Sequence, residues 1–495
     1  MAWLCIDAGT SVIKSVVFSA EGRELAVARA SVAVLRPQEG FAEQEMEAVW
    51  QAVLDTGRRA ASDAGVNIHA IATTAQGDGV WLVDAEGLPV QNAVLWNDGR
   101  AASIVDEWLA TGVLQKAAAL SGCTSYPGLP NSIWRWFAEN RPETLQRAAA
   151  SLTCNGWLFL RFTGQLAADL SDASNPFCDV QRREYSSELT EMYGAKEFSH
   201  LLPPLTSIGA PMGRLMSHVA QQLGIAENTP VVMAPYDIVS TAHGAGCTDP
   251  GQGCVILGTT ICAEVITDHF AMQASGTTIA LQQTGYVLHA MPTLTGCEAL
   301  EWTASLFGLV SIEELEELAS RVPAGAGGLI FLPYLSPAGE RSPFLHPHAR
   351  GNWLWLSLEH QSTHMARSVY EGLSYVVRNC LTEAGMGFTS EVRVCGGGAR
   401  SSFWCQMIAD VTGHRVLRPR GEELGARGAL LHGRVCIGEV SDLKSAHTAS
   451  PISHDSFFPQ EHLRSMYDKG FARFLEARQY AERQWSNNSA GGARG

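Results

Sequence analysis

Leu4-Cys5-Ile6-Asp7-Ala8-Gly9-Thr10-Ser11-Val12-Ile13-Lys14-Ser15-Val16-Val17-Phe18 decides the fold of this chain. Residues 3–6 read as a buried strand, Asp7-Ala8-Gly9-Thr10 as a tight turn, and the apolar run through Lys14 to Phe18 as the returning strand. Glu21-Gly22 makes a second turn into a third strand over residues 24–34. Three consecutive hairpin-joined strands form a meander, which excludes the strand–helix alternation of a dinucleotide-binding domain.

Outward from the meander, residues 46–64 carry Val49, Val53 and Ala60 at helical spacing, and residues 68–73 form a strand that delivers Ala75-Gln76-Gly77-Asp78-Gly79. The same plan returns later. Residues 252–257 and 261–266 form a hairpin around Gly258-Thr259-Thr260. Residues 364–383 are helical, residues 392–395 make a strand ending in Gly396-Gly397-Gly398, and a helix follows over residues 402–412. Two halves of one plan predict an internally duplicated α/β fold with two lobes and a cleft between them. The boundary falls near residues 245–250, giving domains over 1–245 and 246–445, with an extension over 446–495. Its Ser/Asn/Gly-rich end, 486–495, is expected to be disordered.

A chain of 495 residues is long enough for two cores. Its net charge of −15, without a basic run, argues against nucleic acid as a partner, so any bound phosphate must be held by backbone groups, a metal or a few placed cations. The 12 cysteines stand singly, with no CxxC pair, as in a reduced cytoplasmic protein. Asp7 interrupts the first apolar stretch too early for a signal peptide, and no apolar run is long enough to cross a membrane. A cytoplasmic location without membrane partners is expected.

Several clusters carry chemistry. The Asp7–Thr10 turn can aim N–H groups and a hydroxyl at phosphate oxygens, with the Asp7 carboxylate set for Mg2+; an ordinary hairpin with a capping Asp is the plainer reading. Gly258-Thr259-Thr260 is a second turn of the same type, and two opposed turns make a clamp for a phosphate chain. Gly396-Gly397-Gly398-Ala399-Arg400-Ser401-Ser402 lets backbone approach a flat ligand at a helix start. Asp237, after the apolar strand 230–233, either caps the helix of residues 238–242 or faces a cleft as general base. Gln76, Asp78, Trp96, Asp98 and Arg100 are either loop decoration or a polar set beside an aromatic face, suited to a small polyhydroxylated ligand.

In their order, these motifs resemble the FGGY carbohydrate kinase family. Leu332-Pro333-Tyr334-Leu335-Ser336-Pro337-Ala338-Gly339-Glu340-Arg341, Ala349-Arg350-Gly351, His360, His364, Arg367, Glu371-Gly372, Trp404, Gln406, Asp410 and Glu423-Leu424-Gly425-Ala426-Arg427-Gly428-Ala429 extend the likeness over nearly the whole chain. The resemblance implies a two-lobed actin-like (ribonuclease H-like) ATPase fold and transfer of phosphate from MgATP to a hydroxyl of a small sugar or polyol. It implies Asp237 as catalytic base, and Asp7 and Asp237 at the Mg2+. Gly9, Thr10, Lys14, Gly258, Thr259 and Thr260 would face the phosphates, and Gly397, Gly398, Ala399 and Ser402 the adenosine. Gln76, Gly77, Asp78, Trp96, Asp98 and Asp237 would line the sugar site. The motifs look most like those of erythritol kinases, which makes erythritol the first expected substrate and a pentulose (xylulose or ribulose) the second. Tyr236-Asp237-Ile238-Val239-Ser240-Thr241-Ala242 is also similar to kinases of L-xylulose and 3-keto-L-gulonate. An actin-like or chaperone-like ATPase is a remote alternative, and a homodimer is a candidate assembly. The chain departs from the pattern in Trp355, where glycine is usual, in Ala234-Pro235-Tyr236 before the base, and in Asn97-Asp98-Gly99-Arg100.

Overall fold

β-branched and aromatic residues through the opening stretch pair into β1 (Ala2–Ala8), β2 (Val12–Ser19) and β3 (Glu24–Ser31), all antiparallel. The structure, a computed structural model, describes residues 2–206, 211–272, 275–282, 285–387 and 390–491. Two expectations shift here. Asp7 and Ala8 close β1, with only Gly9 to Ser11 left to turn, and β3 stops at Ser31 rather than at residue 34. The register sets Asp7 opposite Lys14.

Helix α1 (Met46–Ala64) buries Met46, Val49, Trp50, Val53 and Ala60 against β2 and β3, and it ends on Gly65 in the left-handed conformation, φ 60°. β4 (Ile68–Ala75) then runs parallel to β1, and β5 (Met212–Arg214) and β6 (Pro230–Met233) complete a six-stranded sheet of order β5-β6-β4-β1-β2-β3. Helix α2 (Asp237–Gly244) leaves the sheet after β6.

The second half repeats the plan. β7 (Gly253–Leu257), β8 (Ile261–Thr267) and β10 (Val287–Pro292) are the antiparallel meander, with β9 (Thr277–Ala280) on its edge. Helices α3 (Glu298–Leu306), α4 (Ile312–Ser320) and α5 (Ser362–Glu383) cover this sheet. β11 (Glu391–Cys395) joins β7 in parallel and leads into α6 (Ser402–Thr412), β12 (Arg415–Pro419), α7 (Leu424–Cys436) and β13 (His454–Phe457). The sheet order is β9-β10-β8-β7-β11-β12-β13. Strands β10-β8-β7-β11-β12 therefore repeat the order and directions of β3-β2-β1-β4-β6. Each lobe has its own core: Leu4, Ile6, Val53 and Ile71 in the first, Val255, Ile261, Val369 and Val394 in the second. Burying each such side chain contributes about 1.5–3 kcal/mol.

Two helices tie the lobes together. α7 follows β12 of the second sheet, yet packs on β1 and β4 of the first and crosses α2. At the crossing the backbones touch. A Cβ on Gly428 would lie 1.9 Å from the Ser240 carbonyl oxygen, and one on Gly244 would lie 1.9 Å from that of Leu424. Only glycine permits this approach. The chain ends in α8 (Glu461–Gly491), so the expected disorder over 486–495 is corrected through Gly491; residues 492–495 lie outside the described residues. Apolar anchors on the inner face of α8, among them Phe474, Ala477, Ala481 and Trp485, hold it on the second core. None of the 12 cysteines forms a disulfide, and among the described residues no helix is long and apolar enough to cross a membrane.

Candidate active site

The carboxyl ends of the parallel strands β1, β4 and β6 release Asp7, the Gln76–Asp78 segment and Asp237 at one edge of the first sheet, where open α/β sheets hold ligands. The second lobe brings the Gly258–Thr260 turn and the Gly397–Arg400 turn from the ends of β7 and β11. Two cavities result. The smaller, about 280 Å3, lies between the lobes and is lined by Asp78, Trp96, Tyr126, Asn175, Asp237 and Arg341 among others. The larger, about 780 Å3, lies in the second lobe against Thr259, Glu301, Gly397, Gly398, Ser402 and Trp404. Gly258 borders both, so the cavities meet at that turn.

Asp237 opens α2, and its own carboxylate accepts the Ile238 N–H at 2.8 Å. Burial, reinforced by the charges of Asp7 and Asp78, pushes its pKa up to about 7, against the opposing pull of the Ile238 N–H and Lys14. Asp7 is raised too, by burial and by Glu423, while Lys14 opposes the rise. Lys14 Nζ stands 3.7 Å from Asp7 and 3.3 Å from Glu423, the residue that precedes α7. Asp78 holds φ 56°, a left-handed conformation that Asp tolerates better than most residues, and its carboxylate accepts the Tyr126 hydroxyl. Burial raises its pKa, with Tyr126 and Arg341 opposing.

The predicted residues divide. Thr10, Gly77, Asp78, Trp96, Asp237, Gly258 and Thr260 line the smaller cavity; Gly258, Thr259, Gly397, Gly398 and Ser402 line the larger. Thr260 and Thr10, expected at the phosphates, thus face the smaller cavity, and only Thr259 of the threonine pair faces the larger. Gln76 and Asp98 line neither. Gln76 accepts the Thr10 hydroxyl at 3.0 Å and donates to Gln44 at 2.8 Å, while Trp96 Nε1 donates to the Thr10 oxygen at 3.0 Å. These bonds orient Thr10 from behind. Asp98 is consumed by the Ala42 N–H at 2.6 Å and by Arg100 Nε at 2.8 Å, an ion pair that fastens two loops. Ala399 is buried, and its carbonyl accepts from Arg418. Asp7, Gly9 and Lys14 are not among the residues lining either cavity.

Sequence reasoning missed Thr124, Tyr126, Asn175 and Thr277 in the smaller cavity and Glu301 and Tyr370 in the larger. Thr124, Tyr126 and Asn175 stand on segments without a local signature, and Thr277, Glu301 and Tyr370 stand inside β9, α3 and α5, where the pattern reads only as strand or helix. The Ala234-Pro235-Tyr236 departure has a physical account: Tyr236 lines the cavity and its ring would stand 2.2 Å from a Cβ at position 77, so it demands Gly77.

Residues 2–244 match the N-terminal domain of the FGGY family of carbohydrate kinases, and residues 253–435 match its C-terminal domain. The chain is 30% identical over 484 residues to the L-xylulose/3-keto-L-gulonate kinase of Escherichia coli strain K12, covering 95% of each chain. It is also 30% identical over 512 residues to the erythritol kinase of Brucella abortus, covering 98% of this chain and 97% of that one. Its fold superposes on the crystal structure of a xylulose kinase from Lactobacillus acidophilus with a TM-score of 0.92 at 22% identity, over 98% of this chain and 99% of that chain. The expected two-lobed actin-like architecture is borne out.

Proposed function

The chain belongs to the FGGY family of carbohydrate kinases and is an ATP-dependent sugar kinase; from that premise we propose that it moves the γ-phosphoryl group of ATP to a hydroxyl of a small free sugar or polyol held in the interlobe cavity. Erythritol and a pentulose are the candidate acceptors. The observation that carries this reading is Asp237, a half-buried carboxylate lining the smaller cavity, which joins the larger at Gly258. A carboxylate whose pKa is about 7 is matched to taking a hydroxyl proton near neutral pH.

In this reading the adenosine lies against Gly397, Gly398 and Ser402, and the phosphates pass the Gly258-Thr259 turn toward Asp237. Asp78 and Trp96 orient the acceptor. Asp237 accepts its proton, a step worth ~10²–10⁴ in rate, and in-line positioning supplies most of the remainder. Asp7, buried, and Asp237, half-buried, are carboxylates with raised pKa values, and the charge of Asp7 adds to the rise at Asp237, a charge excess that a hard cation relieves. Such oxygen donors suit Mg2+, which binds through one or two carboxylates together with phosphates. Asp7 and Asp237 would hold it through water, and it would neutralise phosphate charge. Cysteines without disulfides and the need for ATP fit the cytoplasm. ADP release measured across tetritols, pentitols and ketoses, with the wild type and Asp78→Ala, tests the assignment. Asp78→Ala should weaken the preferred acceptor by roughly 1–3 kcal/mol; an unchanged order and ratio of acceptors would remove Asp78 from the sugar site.

A further inference from the structure

The smaller cavity contains one feature that the kinase mechanism does not use. Arg341 comes from the second lobe, on the segment between α4 and α5, and lines the cavity. Glu340, 2% exposed, locks the backbone there: one carboxylate oxygen accepts the N–H groups of Leu294 at 2.8 Å and Arg341 at 2.9 Å. Arg341 Nε donates to the Pro292 carbonyl at 3.0 Å, and the guanidinium lies 5.3 Å from the Tyr126 ring centroid and 5.9 Å from that of Trp96. Its terminal nitrogens make no other hydrogen bond among the described residues. A planar group fixed at Nε, with its outer N–H groups free, is preorganised to donate.

The cavity is thereby divided by hydrogen-bonding sense. Asp78 and Asp237 accept, while Arg341, held at the Pro292 carbonyl beside the Trp96 and Tyr126 rings, donates. A hydroxyl that accepts from Arg341 must also place its own proton on an acceptor within reach. A keto oxygen has no such proton. A sugar acid would satisfy Arg341 but bring a further negative charge to a cavity already lined by Asp78 and Asp237. We propose that Arg341 is a specificity-determining residue that donates to the keto oxygen of a neutral ketose, so that the enzyme selects ketoses over the corresponding polyols. The inference rests on the reading of the smaller cavity as the sugar site. Erythritol, which the motifs favour, lacks such an oxygen.

The test compares kcat/KM for D-xylulose, L-xylulose and D-ribulose with that for xylitol, the arabinitols and erythritol, in wild type, Arg341→Gln and Arg341→Lys. The wild type should favour its best ketose over the polyols by roughly 10–100-fold, because a site built to donate penalises a ligand that leaves it unpaired. Arg341→Gln should bring that ratio to within a few-fold and weaken ketose binding without nucleotide by a similar factor. Arg341→Lys should recover part of both, and KM for ATP should stay constant throughout. A wild type that prefers erythritol or a pentitol, or an Arg341→Gln enzyme that keeps the ketose preference, overturns the inference and leaves the kinase reading standing. A wild type that phosphorylates neither class overturns both. The wild-type ratio needs no variant, so a variant that fails to fold does not shield the proposal.

Discussion

Replacing Asp237 by asparagine should make the protein more stable as it makes the enzyme inactive. The half-buried carboxyl is poorly solvated and feels the charges of Asp7 and Asp78, and its pKa moves from 3.8 to about 7. At about 1.36 kcal/mol per unit, keeping it ionised costs the folded state as much as about 4 kcal/mol. The folded state holds the proton more tightly than the unfolded chain. Its contribution is therefore fully present below pH 3.8 and is lost as pH rises through about 7. The Asp237→Asn variant carries no such loss, so the gain should be largest at pH 8 and shrink steadily as the pH is lowered. The same change removes the proton acceptor, and kcat should fall ~10²–10⁴-fold with sugar and ATP binding nearly intact. Denaturant unfolding at pH 8 and pH 5, beside ADP-release kinetics, reads both effects. A variant that keeps more than about a tenth of kcat, or is less stable than wild type at pH 8, would refute the assignment of Asp237 as a poorly solvated base.

Lys14→Met removes the cation that restrains Asp7 and Asp237, so the acid limb of the pH–kcat/KM profile should move to higher pH and kcat/KM for ATP should drop about 100-fold; steady-state kinetics across pH checks both. Thr259 borders the larger cavity and Thr260 the smaller, so Thr259→Val should raise KM for ATP and Thr260→Val should raise KM for the sugar, each by roughly 5–10-fold. Kinetics with each substrate varied would expose a reversed pattern. Gly428→Ala would place a methyl 1.9 Å from the Ser240 carbonyl oxygen, and should cost roughly 3 kcal/mol as a lower urea midpoint.

The fold is legible in the sequence because its signals are local. Alternation and turn residues define both meanders, and the repeated Gly-Thr turn announces the duplication before any contact is known. The site is legible where it is built from strand ends: Asp78, Asp237 and Gly258 all stand at the carboxyl ends of strands and line a cavity. Gln76 and Asp98 show the limit. Composition cannot distinguish an amide that meets a sugar from one that orients Thr10 from behind, or a carboxylate that meets a hydroxyl from one paired with Arg100. Tyr126, Asn175 and Thr277 reach the cavity only through tertiary packing, Thr277 donating to Asn175 at 2.6 Å across the lobes. Trp355 departs from a glycine pattern, and its φ of 67° explains the pattern: the position needs a left-handed residue. Here the strain is held with the residue 51% exposed and the Arg473 guanidinium 4.5 Å from the ring centroid.

The central claim is that one enzyme, with Asp237 in the cavity that joins the larger one at Gly258, couples ATP cleavage to phosphorylation of a sugar hydroxyl. Its most direct measurement is mass-spectrometric quantitation of the phosphorylated sugar beside ADP, for wild type and Asp237→Asn. The account predicts one phosphorylated product per ADP in the wild type, ADP formation that depends on the sugar, and loss of both together in the variant. ADP released at the same rate without any sugar, or product formed by Asp237→Asn at the wild-type rate, would contradict it.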